Sequence, residues 1–360
     1  DKDKISSMKV VGEICSDDLH FMGQQMSHLT YLNLSKAIIV ANAHGDGASV
    51  MQGFGYAPLK HIVFPEKSMK VIATWAFSHS KLSGNIVFPE GLEDIQHYSF
   101  AECDLYGELK LPSTLKHLDG NLGSYGARLT GNLILPEGLI SANEHPTGKF
   151  TGTCNFPSTL KSINGNWGYP NMTGTLVIPK FLTKLGDGNV TFGGGGFDKV
   201  EFHDGITEIH DAFGGSALSG ELVLPPNLKM ISGGASFSNT KISKIIFPES
   251  LRVIRDGAYD FDGPFHDCYY LLGTLELPKN VARIPKGCFY NCYGITGLVI
   301  PEGVDLLDDK AFWGCSGINS IVCEDEEPPL VCKDVFFGVN KDNFTVEVPK
   351  GCVEKYKQAP

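Results

Sequence analysis

Ten cysteines, eleven histidines and a surplus of carboxylates give this 360-residue chain the side chains for metal binding or catalysis, so their spacing decides what they can do. Cys288 and Cys292 lie close together, but no second Cys or His pair follows at the spacing of a structural zinc site. Cys103, Cys268, Cys292 and Cys315 instead each fall three residues after a phenylalanine, at Phe100, Phe265, Phe289 and Phe312. A recurring position of this kind reads as a column of small buried hydrophobes, the ordinary behaviour of free cysteine. Cys292 and Cys315 are neighbours in that column, and a disulfide between them is the alternative reading.

Two loops offer other chemistry. Ala41-Asn-Ala-His-Gly-Asp-Gly-Ala-Ser49 has the glycines of a phosphate cradle but lacks the Gly-Lys-Ser/Thr ending and a strand-to-helix setting, so it reads as a surface corner. Asp260-x-Asp262-Gly263 begins like a calcium loop, yet the spaced oxygen ligands and closing Glu are absent. Neither a metal nor a cofactor is expected.

What positions these residues is a repeat. Prolines 65, 89, 112, 136, 157, 179, 225, 248, 278, 301 and 349 mark it, with His203 and Glu324 holding the register where proline is missing. Most steps are 21 to 24 residues, and the step from Pro248 to Pro278 is 30. Apolar residues alternate ahead of each marker, as at Ile86/Phe88, Leu109/Leu111 and Leu222/Leu224. A period of two is that of a short strand with one face buried, and proline ends it because it has no N–H for the ladder. A second apolar pair follows, such as Leu92/Ile95, Leu160/Ile163 and Leu228/Ile231, and implies a second extended segment across the coil. Leu139-Ile140-Ser141-Ala142 lacks the second large residue, which leaves that coil without its usual partner. Next comes an aromatic (Phe77, Phe100, Tyr125, Trp167, Phe213, Phe237, Phe289, Phe312, Phe336) and a Gly-rich corner. One such unit buries too little to fold alone, and stacked copies cover one another. The fold class is therefore a repeat solenoid, mainly β, of about 12–13 coils of roughly 23 residues with parallel strands.

Pro278-Lys-Asn-Val281-Ala-Arg-Ile284…Cys288-Phe289-Tyr-Asn-Cys292 and Pro301-Glu-Gly-Val304…Ala311-Phe312-Trp-Gly-Cys315 follow the pattern Pro-x-x-Val/Leu-x-x-Ile…Phe-x-x-Cys. In these residues the chain resembles the BspA-like (Treponema-type) leucine-rich repeats of bacterial surface proteins. The resemblance spans residues 29 to 360, is tightest in the C-terminal half, and is looser from 120 to 215, where Phe-x-x-Cys is missing. It implies a leucine-rich-repeat array, export to a bacterial cell surface or medium, and adhesion or host interaction. The chain opens on Asp1-Lys-Asp-Lys4 with no secretory signal in view, so export is implied by the resemblance alone.

The rival of a different class is a parallel β-helix enzyme that degrades polysaccharide, which needs convergent acids and bases on one sheet face. Outward strand positions supply carboxylates singly, beside lysines or aliphatics: Glu108/Lys110, Lys199/Glu201, Glu221/Val223, Lys244/Ile246, Thr274/Glu276. Glu201 and Glu221, in adjacent coils, come closest to a pair, and no Ser-His-Asp or Cys-His group falls on the period. A non-enzyme is expected. The net charge of −11 disfavours nucleic acid, and no apolar run reaches the length of a membrane span.

Three domains follow: a capping segment at 1–28, the solenoid at 29–324 and a C-terminal cap at 325–360. The expected role is recognition of a protein or glycan by a monomer. The long period at 248–278 is the expected site, because a loop that breaks a repeat has no packing reason to exist. It carries Tyr259, Asp260, Phe261, Asp262, His266, Tyr269 and Tyr270, with Lys244 and Glu276 on the flanking strands.

Overall fold

In most coils the residues ahead of the proline form the first strand, as at Ser219–Val223 before Pro225. Before Pro89 and Pro112 the strands Ser83–Gly84 and Asp104–Glu108 end earlier, and Ile86/Phe88 and Leu109/Leu111 lie beyond them. In Pro89-Glu-Gly91-Leu92 the Leu92 N–H donates to the Pro89 carbonyl at 3.3 Å, and the same bond recurs at Pro112/Leu115, Pro136/Leu139, Pro157/Leu160 and Pro225/Leu228. This is a β-turn, with Gly91 supplying the positive φ of 99° that its third position needs. The turn explains why a buried leucine lies three residues after each of these prolines.

A computed structural model describes residues 2–119, 122, 128–143, 146, 148–259, 262–340, 342 and 344–359. The chain divides into two units, Asp1–Gly165 and Asn166–Pro360, and each is a parallel β-solenoid with two strand ribbons. Every strand pairing among the described residues is parallel, so the expected second extended segment is itself a hydrogen-bonded ribbon.

In Asp1–Gly165 that second ribbon is continuous over six short strands, from Val50–Met51 to Ser162–Ile163. The coil at 139–142 closes despite its small residues. Ala142 is fully buried, and Ser141 pairs in register with His117 and Ser162. Ahead of the repeat, strand Ser7–Ile14 pairs with Tyr31–Ile39, and helix Ser16–Gln25 packs Leu19 and Met22 inward. The Cys15 N–H donates to the Asp18 carboxylate at 2.9 Å, and Cys15 stands at the N-cap.

In Asn166–Pro360 the second ribbon runs from Lys184–Leu185 to Val253–Ile254, stops, and resumes from Arg283–Ile284 to Leu330–Val331. The interruption is the long period. The first ribbon separates at the same place: Lys241–Ile246 and Gly273–Glu276 belong to different sheets, linked by the Leu272 N–H to the Ser243 carbonyl at 3.1 Å. The C-terminal strand Thr345–Glu347 pairs with Ser320–Cys323, and the Tyr356 hydroxyl ties helix Val353–Gln358 to the Asp325 carbonyl at 2.7 Å.

Between the ribbons the aromatics stack face to face. In the second unit Phe192, Phe213, Phe237, Phe265, Phe289, Phe312 and Phe336 form one spine with centroid spacings of 5.3–5.7 Å. Phe54, Phe77 and Phe100 do the same in the first unit, at 5.5 and 5.2 Å. Phe54 and Phe192 were not picked out by the sequence reading, and Tyr125 lies outside the described residues. The spine crosses the long period unbroken, from Phe237 to Phe265 at 5.4 Å.

The corner around each spine residue is sharply turned. Two residues after it the backbone is left-handed, and in the second unit that position holds only Gly, Asn or Asp, from Gly194 and Gly215 to Gly338.

Candidate binding surfaces

The long period is held by its own backbone. The Gly257 N–H donates to the Asp262 carbonyl at 2.6 Å, and the Phe237 and Asn239 N–H groups bond to the Pro264 and His266 carbonyls at 2.8 and 3.0 Å. Tyr259 stands at its tip, 79% exposed, and Tyr270 is also solvent-facing. Asp260 and Phe261 lie outside the described residues.

Asp262 is not displayed. Its carboxylate covers Gly234 and Gly257, where a Cβ would overlap it, and lies 3.7 Å from His266 Nε2. His266 in turn places Nδ1 3.0 Å from the Asp267 carboxylate, which also accepts from Asn291 Nδ2 at 3.0 Å. These groups close the loop onto the neighbouring coils.

Tyr269 stacks on Tyr293 at 4.8 Å, and burial together with the adjacent Asp267 carboxylate pushes its phenol up to about 12. Beside it Trp313 stacks on Phe337 at 3.9 Å and lies 6.3 Å from Tyr290, with Lys310 Nζ 5.6 Å from the Trp313 ring centroid. Tyr293, Tyr290, Trp313 and Phe337 escaped the sequence reading. The signal was available, because Tyr290, Trp313 and Phe337 each follow a spine phenylalanine by one residue.

Lys244 and Glu276 do not join this corner. Lys244 pairs with Glu221 at 3.0 Å on the strand face, and with Glu276 it lines a shallow depression of about 150 Å³ where the first ribbon separates.

Two of the outward-strand carboxylates are taken up by lysines. Glu221 is engaged by Lys244, and Glu108 by Lys110 at 3.2 Å. On the second ribbon, Lys116 and Lys70 at 2.6 and 3.0 Å hold the Glu93 carboxyl below the usual range.

One expectation fails. The structure does bring a Ser-His-Asp group together: His210 Nδ1 is 2.7 Å from Ser232 Oγ, and His210 Nε2 is 3.2 Å from the Asp211 carboxylate. The period hid it because His210 and Ser232 sit on successive rungs of the second ribbon, 22 residues apart. Ser232 is buried, and Asp211 also accepts the Ala235 N–H at 2.7 Å. The equivalent ribbon of the first unit carries a similar chain in a different order. His117 Nδ1 lies 2.9 Å from Ser141 Oγ, which donates to Asp119 at 3.1 Å, and Asn143 Nδ2 reaches Asp119 at 2.9 Å. Side-chain hydrogen bonds running from coil to coil tie the rungs, and the two groups share that work.

The cysteines form no disulfide. Each column member points its thiol at the spine carbonyl one coil back: Cys103 to Phe77 (3.1 Å), Cys268 to Phe237 (3.2 Å), Cys292 to Phe265 (3.2 Å) and Cys315 to Phe289 (3.1 Å). Burial pushes the Cys103 and Cys268 thiols up to about 11 and Cys315 to about 12, so they stay protonated donors.

Among the described residues, the group spaced to hold a metal ion is Asp308, Asp309 and Cys332. Asp308 is bound by Arg283 Nε at 2.9 Å, and Asp309 Oδ1 accepts the Lys333 N–H at 3.1 Å. Burial and both carboxylates raise the Cys332 thiol, which makes it a poor ligand beside an existing ion pair.

The BspA type leucine rich repeat region matches residues 51–166, 147–262 and 261–347. The chain belongs to the BspA-type leucine-rich-repeat family. No curated protein matches its sequence. Among solved structures, this BspA-type chain is similar to a leucine-rich repeat protein from Bacteroides ovatus, at 18% identity and a TM-score of 0.51, covering 96% of this chain and 84% of that one. A leucine-rich cell surface protein from Faecalibacterium prausnitzii matches at 15% identity and a TM-score of 0.37, over 98% and 90% of the two chains. The Bacteroides likeness is one of fold. Among the described residues no helix of this BspA-type protein is long and apolar enough to cross a membrane.

Proposed function

We propose that this BspA-type protein is a non-catalytic recognition module, displayed on a bacterial surface or secreted, that binds a protein or glycan as a monomer through the aromatic corner of Asn166–Pro360. Proteins of leucine-rich repeats serve interaction, and the resemblance to bacterial surface repeats supports export. The observation that carries the reading is the set of rings left outside the core: Tyr259, Tyr269 and Tyr270 in the long period, and Tyr293 and Phe337 on later coils, are all exposed. Rings of this size give large contact area at low entropy cost, which is why they dominate binding hot spots. In this reading Asp262 and His266 hold the loop, while Lys244 and Glu276 belong to the strand face. Segments 1–28 and 325–360 act as caps that cover the ends of the array.

The test is a pull-down and glycan-array screen with the wild type and with Tyr259, Tyr269 and Tyr270 replaced by Ala. Binding that falls at least tenfold in a folded triple variant supports the reading. An unchanged partner profile rejects this corner, and cleavage of a polysaccharide by the pure protein rejects the non-catalytic assignment.

A further inference from the structure

The left-handed positions of the corner permit an internal comparison between the two units. In Asn166–Pro360 the position two residues after the spine phenylalanine holds only glycine, asparagine or aspartate, the residues that tolerate positive φ. In Asp1–Gly165 the same position carries Tyr56 (φ 60°), His79 (55°) and Glu102 (59°). Two residues before the spine, where the second unit uses Asp211, Gly287, Lys310 and Asp334, the first unit uses Trp75 (60°) and Tyr98 (53°).

Bulky side chains seldom enter this region, because the Cβ crowds the following carbonyl. Burial does not compensate: Tyr56 is 78% and Trp75 52% exposed. Folding alone gives no reason for large rings at positions that the second unit fills with glycine, asparagine, aspartate and one lysine. Such outliers collect where a ligand is bound.

We propose that this corner is a binding site for a neutral saccharide. Each pair of rings is a platform with one face covered. Tyr56 lies on His79 at 4.8 Å and 9°, and Trp75 lies on Tyr98 at 4.6 Å and 24°. Stacked in this way, Tyr56 and Trp75 still expose more than half of their surface.

The backbone beneath is pinned. Gln24 Nε2 donates to the Gly53 and Gly55 carbonyls at 3.0 and 2.9 Å, the Tyr56 N–H to Ser78 at 2.8 Å, and the Trp75 N–H to His97 at 3.2 Å. A ring held this way loses little freedom when a ligand arrives.

Charge selects the ligand class. Residues 52–58 and 73–80, which build the corner, contain no Asp, Glu, Lys or Arg, in a chain of net charge −11. The Tyr98 coil adds Glu102, an acid, and Lys81 follows just outside these ranges, so the ring faces themselves offer an anionic ligand no counter-charge. A sugar presents an apolar C–H face to stack on tryptophan and tyrosine, and hydroxyls to meet the His79 imidazole and the amide of Gln52. Gln52 holds the same place in its coil as Trp75 in the next.

The site lies in the other unit from the corner of the proposed function, so the two stand or fall separately. The full chain is titrated with laminarin, galactomannan and xylan, followed by affinity electrophoresis and tryptophan fluorescence. Tyr56→Asn and Trp75→Gly are the variants, because Asn239 and Gly287 occupy the equivalent positions and the backbone accepts them. The expected result is binding of at least one of these glycans, weakened tenfold or more in each variant, with an unfolding midpoint unchanged or raised. The Tyr259/Tyr269/Tyr270 triple variant should bind that glycan as the wild type does. Absence of binding by all three glycans overturns the proposal, as do variants that bind within twofold of wild type. A proline-rich peptide or an anionic polysaccharide that binds here in their place also overturns it, as does loss of glycan binding in the triple variant alone.

Discussion

Replacing Phe289 measures what the ring spine contributes beyond ordinary burial. Phe289 is fully buried, with Phe265 and Phe312 stacked on its two faces at 5.4 Å each. Phe289→Ala removes the ring and leaves a cavity, which costs about 3–5 kcal/mol in a core of ordinary density. Phe289→Leu keeps most of the apolar volume and removes both ring pairs. At about 0.5–1.5 kcal/mol per pair, it should cost about 1–3 kcal/mol. The discriminating quantity is the coupling between Phe289→Leu and Phe312→Leu. Stacking predicts a coupling of about 0.5–1.5 kcal/mol, because the double variant cannot lose the shared pair twice. Urea unfolding, with the midpoint shift multiplied by the slope, supplies all three values. Phe336, half-buried near the end of the spine, serves as a control and should cost less. A coupling below about 0.3 kcal/mol, the range expected for independent sites, would refute the view that the rings act as a stack.

Three further outcomes follow from the same geometry. Cys292→Ser should retain a donor to the Phe265 carbonyl, whereas Cys292→Ala should cost about 0.5–1.5 kcal/mol more than Ser, read by urea midpoints. In the native protein a thiol reagent should modify few of the ten cysteines and nearly all after denaturation, and several blocked thiols would contradict the reduced column. Spectrophotometric titration should show Tyr269 ionising near pH 12. Its raised value favours the neutral phenol in the fold, so that contribution is complete below about pH 10 and is lost as pH rises towards 12, and Asp267→Asn should move the ionisation down.

The period was legible because it rests on residues with hard constraints. Pro89 and Gly91 fix a turn, and Leu92 is buried because that turn aims it inward. The aromatic at each corner was legible as a recurring position, but its burial and stacking were not, since face-to-face packing depends on coil spacing. Of the candidate site, Tyr259 and Tyr270 are exposed, whereas Asp262 turns inward onto Gly234 and Gly257. Sequence distance cannot show which side of a loop faces its neighbours. The Ser232–His210–Asp211 group was missed for a related reason. Outward residues were compared on the first ribbon, and the contact joins rungs of the second.

The gap in the ribbons at the long period bears on how this array changes over generations. On either side of it the strands keep their own register, while the ring spine runs straight through, with single hydrogen bonds such as Leu272 to Ser243 in place of a ladder. Stacked rings ask only for a flat neighbour about one coil away, whereas a hydrogen-bond ladder fixes every residue opposite its partner. Extra residues can therefore enter between Val253–Ile254 and Arg283–Ile284 without forcing a slip in the coils before or after them. That place in the chain is a growth point, where a new loop can be added and tried while the rest of the array goes on folding as before.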